Sequence, residues 1–119
     1  MAAIEISSTL TAAGQPDAAT FAGLSGSSFA GVVNVRPDGE EGGQIDHERA
    51  ALIAREAGLG YAYVPVRSET ITEADIRAFQ TEVAAMKGPV YAHCRSGTRV
   101  AILHVLGEVL DGRMRAEDI

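Results

Sequence analysis

The sequence predicts an α/β protein with a mainly parallel central sheet flanked by helices, behind an N-terminal strand or hairpin. Three observations predict it. From residue 31 onward, short β-rich runs alternate with stretches of helical periodicity. Glycine and proline punctuate the joins. The last apolar run, Pro89-Val90-Tyr91-Ala92, passes through His93 to Cys94, the only cysteine, and an apolar helical run follows the glycine-containing loop after it.

In chain order, Ile4 to Gly14 carries scattered β-branched residues and predicts one or two short strands. Pro16 stands where a first helical residue would, and a short helix follows through Leu24, weakened by Gly23 and Gly26. Gly31-Val32-Val33-Asn34-Val35 reads as a buried strand, and Pro37-Asp38-Gly39 ends it with turn chemistry. Beyond the acidic, glycine-containing loop Glu40 to Gln44, a helix is predicted from about Asp46 to Ala57, with Ala50, Ile53, Ala54 and Ala57 on one face. Tyr61 to Val66 is the next strand, whose two tyrosines read as packing residues. Thr72-Glu73-Ala74-Asp75 resembles a capping box and opens a helix with Ile76, Phe79, Val83 and Met86 on its inner face and a Glu73–Arg77 pair outside. Gly88-Pro89 ends it.

At 119 residues the chain reads as one domain, large enough for a core without disulfides. A net charge of −6 argues against nucleic acid as a partner. No run approaches the ~20 apolar residues of a membrane span, and the N-terminus lacks a secretory signal pattern. A lone cysteine fits a reducing compartment, so a cytoplasmic location is expected. The ending, Arg115 to Ile119, reads as the opening turn of a further helix, which predicts a longer natural protein.

The chemistry concentrates in Cys94-Arg95-Ser96-Gly97-Thr98-Arg99. A strand delivers the sulfur to the mouth of a helix, where backbone N–H groups and a partial positive charge favour an anion. A helix N-terminus and neighbouring arginines are also what lower a thiol's pKa. Cys94 is the candidate nucleophile and Arg99 the candidate anion-stabilising group. Arg95, Ser96, Gly97, Thr98 and Val100 form the candidate anion-binding loop, Gly97 for its backbone freedom and Ser96 or Thr98 for a hydroxyl bond to the sulfur. Arg36, at the end of another strand, is a candidate for a substrate's distal anion or for an ion pair with Asp38, Glu40 or Glu41. Asp38 is a candidate acid or a turn residue, and His93 tunes the sulfur or makes a structural hydrogen bond. His104 reads as a core histidine and His47 as a residue of a surface helix, and the three histidines have no metal-binding spacing. No metal or cofactor is expected.

The stretches His93 to Arg99 and Asn34 to Glu41 together resemble the phosphatase-like domain of the beta-lactamase hydrolase-like proteins. The resemblance covers nearly the whole chain, including Ala13-Gly14-Gln15-Pro16 and Val64-Pro65-Val66. It implies a fold similar to the dual-specificity tyrosine phosphatases. Some members are fused to a metallo-β-lactamase-type persulfide dioxygenase, so it also implies such a domain or protein as a partner. Members have been described both as phosphatases and as sulfurtransferases.

The phosphatase pattern places five residues between cysteine and arginine, whereas four separate Cys94 from Arg99. The shorter loop is similar to that of rhodanese-type sulfurtransferases and suits a persulfide better than a phosphoryl group. The stretch Pro65 to Thr70, where a tyrosine phosphatase keeps its acidic aspartate, has only Glu69. The expected activity is therefore sulfur transfer from thiosulfate or glutathione persulfide to a thiol acceptor through a Cys94 persulfide. The alternatives are a phosphatase acting through phosphocysteine and a redox-sensing, anion-binding module.

Overall fold

The computed structural model describes residues 3–115 and 117. The helical turn expected at 115–119 falls outside these residues, apart from Arg115 and Glu117. Five strands form one sheet: β1 (Ile4–Ser7), β2 (Leu10–Ala13), β3 (Gly31–Asn34), β4 (Gly60–Tyr63) and β5 (Val90–His93), in the order β1-β2-β5-β3-β4. Only the β1–β2 hairpin is antiparallel; β2, β5, β3 and β4 all run parallel. The predicted fold class is the one observed.

Helices α1 (Ala18–Gly23), α2 (His47–Glu56), α3 (Glu73–Ala85) and α4 (Thr98–Leu110) join and cover the strands. Their starts follow local chemistry. Asp17 and Asp46 cap α1 and α2 by accepting from Thr20 N and Arg49 N. Thr72 and Asp75 complete the capping box of α3. Pro16 is thus not the first helical residue, because the Asp17 side chain captures the helix end one position later. Arg77 also departs from expectation. Its contact with Glu73 is 4.0 Å, while Asp111 takes it at 2.6 Å and ties α3 to the end of α4.

Alternation along the parallel strands splits the core in two. Val33, Val90, Ala92 and Cys94 face Ile76 and Phe79 of α3 and Val100 and Leu103 of α4. Val32 and Tyr91 face Phe21 of α1 and Ala50 and Ala54 of α2. The chain leaves β3 for the neighbouring edge strand β4, then returns across β3 to β5. The two crossovers run in opposite directions along the sheet, so one hand of connection puts α2 and α3 on opposite faces. His104 proves half-buried rather than part of the core, since α4 turns that side toward a cavity of mixed lining that includes Ser7, Thr9, Gln80 and Glu108.

The consequence for function lies between β3 and β5. They are in register, Asn34 beside His93. The loop leaving β3 leads to α2 on one face of the sheet, and the loop leaving β5 leads to α4 on the other. Such a divergence opens a crevice at the carboxyl ends of the strands. Two loops emerge there, Val35 to Ile45 and Cys94 to Gly97.

Candidate active site

The sequence around Cys94 builds a tight turn from strand to helix. Val35 N donates to His93 O at 3.0 Å, which carries the β3–β5 ladder to its last residue. Beyond it, Cys94 N donates to Ala13 O and Gln15 N donates to Arg95 O, and Gly14 bridges Ser96. The end of β2 thus supports the loop along its length. Gly97 then takes φ = 92°, a left-handed conformation that a side chain resists, and hands the chain to α4. This bend brings Gly97 N to 3.0 Å from the Cys94 sulfur, to which it donates.

Cys94 is 1% exposed, and its sulfur lies against the Gly97 amide at the start of α4. Neither predicted hydroxyl reaches it. Ser96 donates to Thr98 at 3.2 Å, so the two satisfy each other on the outer side of the turn. Arg95 is exposed, whereas the Arg99 side chain is only 10% exposed, so Arg99 is the arginine that lies along the site. Val100 is fully buried under the sheet.

Arg99 is held from three directions. Its Nε donates to Ser68 Oγ at 3.0 Å, and Nη1 donates to Val66 O at 2.9 Å and to Glu40 Oε2 at 3.1 Å. Nη2 donates to Glu40 Oε1 at 3.2 Å. Glu40 therefore grips Arg99 through both oxygens, a paired geometry that guanidinium favours. Burial pushes the Glu40 carboxyl up, but the hydrogen bonds and charges of Arg99 and Arg36 outweigh this and hold it below the usual carboxylate range.

Arg36 is 1% exposed, and its charge is compensated in place. Nε donates to Glu40, Nη2 to Glu41 and Nη1 to Gln15, while Asn34 Oδ1 accepts from its backbone N–H. It thus acts as an internal strut, forming the expected ion pair with Glu40 and Glu41 as partners. Asp38 is likewise engaged. It pairs with His47, whose ring stacks on Tyr63 at 4.1 Å, and its backbone N–H donates to the Tyr63 hydroxyl. Neither residue adds a free group to the crevice, because the Val35 to Ile45 loop uses both to hold its own shape. The tyrosines serve the same end, Tyr61 through its hydroxyl to Asn34. Arg36→Ala should lower stability by about 3 kcal/mol, from lost packing and the uncompensated carboxylates left behind. Urea unfolding measures this, and a loss under 1 kcal/mol contradicts the strut assignment.

His93 is fully buried on the sheet face opposite Cys94. Neither ring nitrogen has a well-formed partner, the Cys94 backbone being the nearest to one. Burial pushes the ring down to about 4, and the Arg36 charge adds to it. The ring is therefore neutral at pH 7.

Sequence reasoning missed Gln15, Glu40, Val66 and Ser68. Glu40 entered only as a possible partner for Arg36, and nothing in spacing ties it to a residue 59 positions away. Among the described residues, no group of three His, Cys, Asp or Glu side chains gathers as metal ligands, and no helix is long and apolar enough to cross a membrane.

The family model for the phosphatase-like domain of the beta-lactamase hydrolase-like proteins matches residues 4–111. The chain belongs to this family. A beta-lactamase hydrolase-like protein of Agrobacterium fabrum is 51% identical over 119 residues, covering 100% of this chain and 28% of that protein. One of Xylella fastidiosa is 42% identical over the same span and share. The chain thus spans little more than a quarter of the length of these relatives. A solved structure described as a candidate phosphatase of Neisseria meningitidis superposes with a TM-score of 0.88 at 26% identity, covering 99% of this chain and 83% of that one. TpbA of Pseudomonas aeruginosa superposes at 0.72 and 18% identity, covering 98% and 68%, and bears on the fold alone. The expectation of a phosphatase-like fold holds.

Proposed function

We propose that this domain is a cysteine-dependent hydrolase of the phosphatase type, with Cys94 as nucleophile and the Gly97 amide and Arg99 as its anion-stabilising groups. The observation that carries this is the free sulfur at the mouth of α4, accepting from Gly97 N at 3.0 Å with Arg99 in the next turn. The family's phosphatase-like description and the Neisseria relative support phosphate esters as the substrate class. They reverse the ranking reached from sequence, in which sulfur transfer came first.

In this reading the Cys94 sulfur attacks phosphorus. The ester oxygen departs with the bonding electron pair and takes a proton from solvent. Water then cleaves the S–P bond, releasing phosphate and restoring the thiol group. Among the described residues, no acid for the leaving group is identified. Asp38 is committed to His47, Glu69 is exposed, and Glu40 is held ionised between two arginines. General acids contribute roughly 10²–10⁴-fold. Rates across a series of aryl phosphates should therefore fall steeply with leaving-group basicity, by about a hundredfold or more from an activated nitrophenyl ester to phosphotyrosine. A flat series reveals an acid not recognised here. No phosphate release from any ester overturns the reading.

A second reading, sulfur transfer, is favoured by a specific observation. Only four residues separate Cys94 from Arg99, and Arg99 spends most of its donors on the protein. A single sulfur atom asks less of such a loop than a phosphoryl group does. The sulfur attacks the outer sulfur of thiosulfate, the S–S bond breaks, and sulfite leaves with the electron pair. Intact-mass measurement after thiosulfate treatment separates the readings: a gain of one sulfur, absent in Cys94→Ser, selects this one.

A further inference from the structure

We infer that Glu40 is a specificity-determining residue, because its carboxylate fills the Arg99 edge that a substrate oxyanion needs. The inference rests on the reading of Cys94 to Arg99 as the reactive loop. A guanidinium has five N–H donors. In Arg99, Nε is spent on Ser68, both hydrogens of Nη1 on Val66 and Glu40, and one of Nη2 on Glu40. One N–H remains. A paired grip on a tetrahedral oxyanion takes two. An oxyanion therefore acquires that grip only by displacing Glu40.

Glu40 is also the replaceable partner of the cluster. When it swings away, Arg36 keeps Gln15 and Glu41, and Arg99 keeps Ser68 and Val66. Its side chain is 27% exposed, so water can receive it. An added Cβ at the flanking Gly39, Gly42 or Gly43 would meet nothing within 4 Å, so the loop surface beside Glu40 is open. Glu41, the other carboxylate of the loop, touches Arg36 but makes no bond to Arg99. With Glu40 in place, like-charge repulsion adds to the competition and weighs most on doubly charged substrates. The site as folded thus prefers a transferred group carrying a single negative charge, and removing Glu40 opens it to dianions.

Orthophosphate titration, followed by calorimetry or amide shifts at pH 7, tests this without turnover. Glu40→Gln removes one charge and frees one of the two donors, since its amide oxygen still accepts, whereas Glu40→Ala frees both. Recovering one charge-assisted hydrogen bond corresponds to about a tenfold gain in affinity or more. Glu41→Gln removes a charge from the same loop without freeing Arg99, and should leave affinity within about twofold. Thermal unfolding checks that the variants fold, and Glu40→Ala should reproduce the gain if Glu40→Gln does not fold. No gain in either Glu40 variant, or an equal gain in Glu41→Gln, overturns the proposal. Turnover assays read Cys94 and the phosphate titration reads Arg99, so failure of the catalytic reading and failure of this one are separate results.

Discussion

Cys94→Ser is expected to abolish turnover, by at least about a thousandfold, while the fold survives. The two halves of this expectation come from different facts. A serine hydroxyl is a far weaker nucleophile than a thiol group unless a base activates it. Among the described residues the nearest histidine in sequence, His93, lies on the opposite face of the sheet, and burial makes its ring a weak base. Survival follows because serine fits the space and Gly97 N can donate to its oxygen as it does to sulfur. The hydroxyl enters an apolar neighbourhood that includes Val66 and Val100, so a loss of about 1–2 kcal/mol is expected. Steady-state rates with an activated aryl phosphate and with thiosulfate measure the first half, and circular dichroism the second. A folded serine variant keeping a tenth of the activity removes Cys94 from the chemistry.

The second large effect is on stability against pH. Burial pushes the His93 ring down to about 4 in the folded protein, against about 6.5 for the free side chain. The unfolded chain therefore binds a proton that the native state refuses. Above pH 6.5 the residue is neutral in both states and has no effect. As pH falls from 6.5 toward 4, stability drops by up to about 1.4 kcal/mol per unit, about 3 kcal/mol in full. The paired carboxylates with lowered values, Glu40 and Asp111 among them, act in the same direction but at lower pH. His93→Phe keeps a planar ring and cannot titrate, so its stability should be flatter over that window. Urea midpoints at pH 4.5, 5.5 and 7 measure the difference. Parallel curves for the two proteins contradict the assignment of a buried, neutral ring.

The strand and helix framework was legible because local signals agreed with one another. Valine-rich Gly31 to Asn34, the Thr72 to Asp75 box and the Gly97 hinge each say the same thing locally that the fold needs globally. Arg36 and Cys94 could be placed at one edge because strand direction follows from alternation. The interior of the site was not legible, since its geometry is set by contacts distant in sequence. Arg99 meets Glu40 across 59 residues and Ser68 across 31, and Arg36 meets Gln15 across 21. No periodicity records such pairs. For the same reason Arg36 read equally well as a ligand group or an ion-pair partner, and Asp38 as an acid or a turn residue, until their partners were seen.

The hairpin at the start of the chain is more than a trim on the sheet. Through Ala13, Gly14 and Gln15 it lines the whole flank of the Cys94 loop, and β5 borrows its outer row of hydrogen bonds from β2. A shortened version lacking these residues would leave β5 as a bare, valine-bearing margin, open to annealing with a strand from another molecule. Any excised or transplanted form of this domain has to carry residues 4–15, or the reactive turn loses its backrest.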